Sequence, residues 1–219
     1  MGTTGAIPLY LELTQPAPND NFANRILLHG IYATATSYNA GATHQTGEPI
    51  FGDSAGKTVW WSWTAPVSGT VAIDLSGSDY AFPIAIFTGA TLTGLQMVAE
   101  DSGGVSFAAV AGRTYQIAVS DSAGLTGAIE LKLQAPVEEL PLSGIINNLF
   151  GSAQLFYATT AGQVILLQRS NDGTNWQNVQ ENIALGNAIQ FSVRPAPGRN
   201  GPYYRAVVVD LLPVAHPFQ

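Results

Sequence analysis

The stretch KTVWWSWTAP, residues 57–66, holds three of the chain's four tryptophans, and its reading decides the fold. As a strand over 58–65 it sends Val59, Trp61, Trp63 and Ala65 to one side and Trp60, Ser62 and Thr64 to the other. Trp61 and Trp63 are therefore expected in a core, because a flat sugar-binding platform needs several aromatics on one exposed face. Trp60 lies on the more polar face and, with Tyr80, is the candidate for a ligand face.

The same period of two continues outward from this stretch. Tyr115, Ile117 and Val119 alternate with Thr114, Gln116 and Ala118, and Ile129, Leu131 and Leu133 alternate with Glu130, Lys132 and Gln134. These patterns predict half-buried strands, and no amphipathic helix of ten or more residues is found. Turn signals separate them: PVSG at 66–69, SGSD at 76–79, DSGG at 101–104, VAGR at 110–113 and SAGL at 122–125. Hydrophobic residues make up 46% of the 219 and charged ones only 11%, with 23 glycines and 13 prolines, which fits many short strands joined by turns and excludes disorder.

APVEELPLSG, 135–144, reads as a linker between a longer β-rich region and a shorter one. Beyond it, SNDGTNW carries an Asp-Gly turn signal, and strands are predicted over 188–193 and 203–209. The expected fold is all-β, two β-sandwich domains in tandem, jelly-roll-like and then immunoglobulin- or fibronectin-like. Residues 1–16 form an N-terminal extension strand, 17–134 the first sandwich, 135–144 the linker, and 145–219 the second sandwich with an apolar C-terminal tail.

Eight Lys and Arg against fifteen Asp and Glu give a net charge of −7, which removes the phosphate attraction of a nucleic-acid binder and disfavours an anionic membrane surface. Without cysteine there are no disulfides or thiolate metal sites. No apolar run approaches the roughly 20 residues of a membrane span. MGTTGAIPLYLEL lacks the basic start and continuous apolar run of a signal peptide, so any leader is expected to be missing from this sequence.

Several blocks, taken in order, resemble a known family: PNDNFANRILL (18–28), GATHQTGEP (41–49), KTVWWSWTAPVSGTVAIDLSGSD (57–79), IAIFTG (84–89), VSFAAVAGRTYQIAV (105–119) and GAIELKL (127–133). Together they are similar to the bacterial pre-peptidase C-terminal domain over residues 17–134. The resemblance implies a β-sandwich of a secreted bacterial protein, usually non-catalytic, some of whose relatives bind calcium or insoluble polymers such as collagen. Residues 150–209 resemble fibronectin type III-like modules through ILLQRSNDGTNWQNV and YYRAVVV. For calcium the candidates are Asp20, Asp53, Asp79 and Asp101, although no D-x-[DN]-x-[DN]-G loop is present and all four also suit ordinary turns.

Motifs for catalysis are few. GDSAG, 52–56, matches G-x-S-x-G, but the mechanism needs Ser54 on a strand-to-helix turn and the stretch leads into a predicted strand. EDSGG at 100–104 has Glu100 where that pattern requires glycine. His29, His44 and His216 are scattered, and the pairs Glu138-Glu139 and Glu100-Asp101 read as solvated charges rather than an acid/base pair.

At the N-terminus, Ile7, Leu9, Leu11 and Leu13 alternate with Pro8, Tyr10, Glu12 and Thr14, the pattern of an assembly strand able to pair with a neighbouring subunit's open edge or within its own chain. The apolar VVVDLLPVAHPFQ at the C-terminus is a candidate for the matching contact. The leading expectation is a non-catalytic structural or adhesive protein of a bacterial cell surface, self-associating into a filament by strand exchange. The alternative is a targeting module of a secreted hydrolase that binds extracellular polysaccharide or protein. A small hydrolase using Ser54 comes third.

Overall fold

The computed structural model describes residues 16–52, 56–121, 123–147, 152–194 and 202–211. Sixteen strands carry nearly all of their regular structure, and the helical elements among them are two 3-10 turns, Phe22–Asn24 and Leu92–Gly94. The protein is all-β and built from sandwiches, as the alternation of side chains requires.

In the first sandwich, Ile26–Leu28 (β1), Val59–Thr64 (β3), Thr114–Val119 (β8), Pro83–Thr88 (β5) and Gln96–Ser102 (β6) form a five-stranded sheet in that spatial order. Tyr32–Tyr38 (β2), Ala128–Gln134 (β9), Gly69–Asp74 (β4) and Gly104–Ala109 (β7) form the opposing four-stranded sheet. Val71, Ile73, Phe107, Leu131 and Leu133 point inward from the second sheet and meet Trp61, Trp63, Tyr115 and Ile117 from the first. Trp61 and Trp63 are fully buried, as expected.

Trp60 is also fully buried, which corrects the expectation of an exposed ligand face. The reason is a second, smaller core on the outer side of the five-stranded sheet. Trp60 stands in a cross-strand row with Ala118 and Ala85, whose small side chains leave room for the indole. Phe87 of β5 lies beside it at 6.1 Å, and segments outside the sheet close over it: Phe22 meets the ring edge-on at 5.1 Å, and Phe51 packs on Phe87. The segment before β1 pins the lid, since Asn19 Nδ2 donates to the Trp60 carbonyl at 2.9 Å while the Trp60 amide donates to the Asn19 carbonyl at 2.9 Å.

A carboxylate is buried against this outer core. Glu48 is 7% exposed and its Oε1 accepts from Trp60 Nε1 at 3.1 Å, while Oε2 has no partner. Burial pushes the Glu48 carboxyl above its ordinary 4.5, against the opposing effects of the Trp60 hydrogen bond and the nearby His44. The folded state therefore holds this proton more tightly than the unfolded chain, so the residue's contribution to stability falls as pH rises from 4.5 through the raised value. Glu48→Gln keeps an acceptor for Trp60 and removes the charge. It is expected to be more stable than the parent at neutral pH, with the difference closing below 4.5, as urea midpoints measured across pH would show.

The second sandwich pairs the sheet Glu138–Leu140 (β10), Tyr203–Leu211 (β16), Gln163–Ser170 (β13) and Gln177–Ile183 (β14) with the sheet Leu142–Asn147 (β11), Ala153–Ala158 (β12) and Ala188–Val193 (β15), each in that spatial order. Its core gathers Leu155, Tyr157, Ile165, Leu167, Phe191 and Val208. The Asp172-Gly173 turn joins β13 to β14, with Asp172 Oδ1 accepting from the Thr174 and Asn175 amides at 2.8 Å each. The expected linker over 135–144 is largely strand: β10 and the start of β11 lie within it. Pro136 and Pro141, which lack an amide proton, flank a short edge strand where they remove no ladder bond.

Candidate binding site

The two sandwiches meet at a tight turn. Gly30, at φ +83°, donates its amide to Asp210 Oδ1 at 2.9 Å and accepts at its carbonyl from Trp63 Nε1 at 3.0 Å. The next amide, Ile31, donates to the Val209 carbonyl at 2.8 Å, and the Ile31 carbonyl accepts from Ala135 at 2.8 Å. Val209 is free to serve because it is the extra residue of a β-bulge: Asp210 pairs with Val164 and Val208 with Ile165, leaving Val209 opposite nothing in β13. His29 lies 3.9 Å from Asp210 at the same junction.

Beside this turn opens a cleft of about 410 Å³, within the size range of small-molecule and cofactor sites. Its floor is the outer face of the β10-β16-β13-β14 sheet, where alternation turns Leu166, Val207 and Val209 outward and Ile165, Leu167, Ala206 and Val208 inward. A polar ladder crosses this floor. Glu139 forms an ion pair with Arg205 Nη1, Arg205 Nε donates to Gln168 Oε1 at 2.8 Å, and Gln168 Nε2 donates to Asn178 Oδ1 at 2.9 Å. Arg205 is held from its other side by the half-buried Trp176, its guanidinium carbon 4.3 Å from the ring centroid. Tyr32, 60% exposed, stands at the first sandwich's wall, and Val137 closes the end.

These are not the residues singled out from the sequence. Tyr80 packs edge-on against Phe82 at 5.7 Å, in a loop between β4 and β5, and does not share a face with the buried Trp60. Asp20 accepts from the Thr43 amide at 2.7 Å and Asp79 from the Ala128 amide at 2.7 Å, while Asp101, near the end of β6, accepts from the Ser102 amide at 2.8 Å, so the three are tied up in separate places. No group of three or more His, Cys, Asp or Glu side chains converges among the described residues. Asp53, Ser54, His216 and the assembly strand Ile7, Leu9, Leu11 and Leu13 lie outside the described residues, as does most of the C-terminal tail. The element that follows Ser54 is strand β3, and Ser102, at the end of β6, donates its hydroxyl to the Ala81 carbonyl at 2.9 Å. Glu138 and Glu139 are both exposed, and Glu139 is also one end of the ladder through its ion pair with Arg205.

No described helix is long and apolar enough to cross a membrane. No family model matches the chain, and no curated protein matches it. Among solved structures it is similar to a GH2 beta-galacturonidase from Eisenbergiella tayi bound to glycerol, at 10% identity over 84% of this chain and 43% of that one, with a TM-score of 0.24. It is also similar to a Faecalibacterium prausnitzii beta-glucuronidase, at 12% identity over 90% and 47% with a TM-score of 0.25. A beta-1,2-glucanase from Parabacteroides distasonis matches at 11% identity over 76% and 33%, with a TM-score of 0.23. The chain spans less than half the length of each. Likeness at this level bears on neither activity nor ligand.

Proposed function

We propose that this chain is a non-catalytic module of a secreted or surface-exposed bacterial protein and that it binds a polysaccharide segment in the cleft between its two sandwiches. The observation that carries this reading is the Glu139-Arg205-Gln168-Asn178 ladder, laid along an apolar floor beside exposed Tyr32. Amide and guanidinium groups meet sugar hydroxyls, and an aromatic ring covers the apolar face of a pyranose. The order of blocks resembling pre-peptidase C-terminal domains supports the extracellular setting. Co-sedimentation with insoluble polysaccharides tests the reading. Tyr32→Ala is expected to weaken retention about tenfold, the loss of one aromatic anchor, without moving the unfolding midpoint. Retention that ignores both Tyr32→Ala and Gln168→Leu would place binding elsewhere.

A second reading, assembly by strand exchange, draws support from the open sheet edges. β14 ends its sheet, and all seven of its residues are exposed, Val179 and Ile183 among them. β2 ends the four-stranded sheet of the first sandwich, and its Tyr38 hydroxyl donates to the Pro16 carbonyl at 3.2 Å, just after the alternating segment. Such edges accept an added strand. Deleting residues 1–14 is expected to abolish polymers seen by electron microscopy while the circular dichroism of the sandwiches persists. Polymers that survive the deletion would end this second reading.

A further inference from the structure

We infer that a groove on the outer face of the five-stranded sheet, between Arg25 and Arg113, binds a carboxylate-bearing saccharide. It is separate from the cleft between the sandwiches and does not depend on the function assigned to it. The groove measures about 420 Å³ and lies beside the Trp60 core, with Ser62 and Gln116 in its floor.

The charge there is out of keeping with the rest of the molecule. In a chain of net charge −7 with eight basic residues, two arginines line one groove that contains no acidic side chain among the described residues. Lys132 and Arg205 pair with Glu130 and Glu139, whereas neither Arg25 nor Arg113 has a carboxylate within ion-pairing distance among the described residues. Arg25 is held in place: Nη1 donates to the Phe22 carbonyl, and the guanidinium carbon lies 4.1 Å from the Phe22 ring centroid. Its remaining donors form a prepared fork for a carboxylate.

Gln116 supplies the second half of the recognition. The residue is only 2% exposed, its Nε2 donates to the Gly89 carbonyl at 3.1 Å, and its Oε1 has no partner. The Gly89 bond fixes the amide's orientation, since a flipped amide would set two acceptors against each other. Gly89 stands at φ +125°, and a Cβ there would sit 2.5 Å from the Gly94 carbonyl oxygen, so the turn presenting this carbonyl requires glycine. What remains is a buried acceptor waiting for a donor. A plain anion only accepts and leaves Oε1 unpaired. A sugar acid brings a carboxylate for the arginines and hydroxyls that both donate to Oε1 and pair with Ser62, Thr88 and Thr114.

Titration of the full chain with sodium glucuronate, glucose, sodium acetate and an acidic dipeptide at constant ionic strength, followed by calorimetry and by the Gln116 side-chain amide resonance, tests this assignment. Glucuronate is expected to bind and shift that resonance, with glucose, acetate and the dipeptide each at least about tenfold weaker. Arg113→Gln, at an exposed position, is expected to weaken glucuronate about tenfold, and Gln116→Leu to weaken glucuronate but not acetate. Tyr32→Ala should leave glucuronate binding unchanged, which separates this groove from the cleft. Acetate or the dipeptide binding as tightly as glucuronate, glucuronate binding unaffected by Arg113→Gln, or no binding at all would overturn the assignment.

Discussion

Replacing Trp60 with alanine is expected to lower the unfolding free energy of the first sandwich by about 3–5 kcal/mol, the range for emptying a buried aromatic site. Against a typical domain stability of about 5–15 kcal/mol this is a large share, so the urea midpoint should move far enough to read without extrapolation. The size follows from the surroundings: the indole is wholly buried, enclosed by Phe22, Phe51, Phe87, Ala85 and Ala118, and loops held over it cannot collapse without giving up the Asn19 pairing to β3. Trp60→Phe should cost less, keeping most of the packing while removing the Trp60 donor to Glu48 Oε1. An exposed platform residue would behave in the opposite way, losing ligand without losing stability. A change below about 1 kcal/mol would mean that the outer core is not closed in solution.

The contrast between Trp60 and its neighbours shows what one chain's pattern reveals. Trp61 and Trp63 were legible because Val59 and Ala65 share their side and β8 repeats the alternation through Tyr115, Ile117 and Val119. Trp60 was not, because Ser62 and Thr64 give its side a polar character, while what buries it is Phe87 of β5 together with Phe22 and Phe51 from outside the sheet. A signal did exist. IAIF at 84–87 and the Ala118 of β8 put small or apolar residues on both faces of their strands, as expected of a sheet covered on both sides rather than one facing water. The second sandwich followed from its apolar runs and the Asp172-Gly173 turn. Its first strand did not, because two prolines and two glutamates within seven residues look like a linker until β16 is seen beside them. The cleft was illegible for a stronger reason. Glu139, Gln168, Asn178 and Arg205 come from four strands, and only the register of the sheet sets them in one row.

Gly30→Val is expected to cost about 2–4 kcal/mol, combining left-handed strain at a β-branched residue with the loss of a junction hydrogen bond. At φ +83° the new Cβ would approach the Val209 carbonyl oxygen to 3.3 Å, the acceptor that Ile31 uses. Relief requires the 29–31 turn to lift, and lifting it strains four bonds at once: those donated to Asp210 and Val209, and those accepted from Ala135 and from Trp63 in the core of the first sandwich. The consequences reach beyond stability, because among the described residues Gly30, Ile31 and Tyr32 are what the first sandwich contributes to the cleft wall. The variant should therefore lose polysaccharide retention as fully as Tyr32→Ala does, although the ladder on the second sandwich is untouched. Thermal unfolding should separate into two transitions where the parent, bolted at this turn, shows one. Gly30→Ala gives a graded control with the same backbone conformation and less bulk. If Gly30→Val keeps full retention, the wall built by the first sandwich is not needed for binding, and the site would reduce to the outer face of the β10-β16-β13-β14 sheet alone.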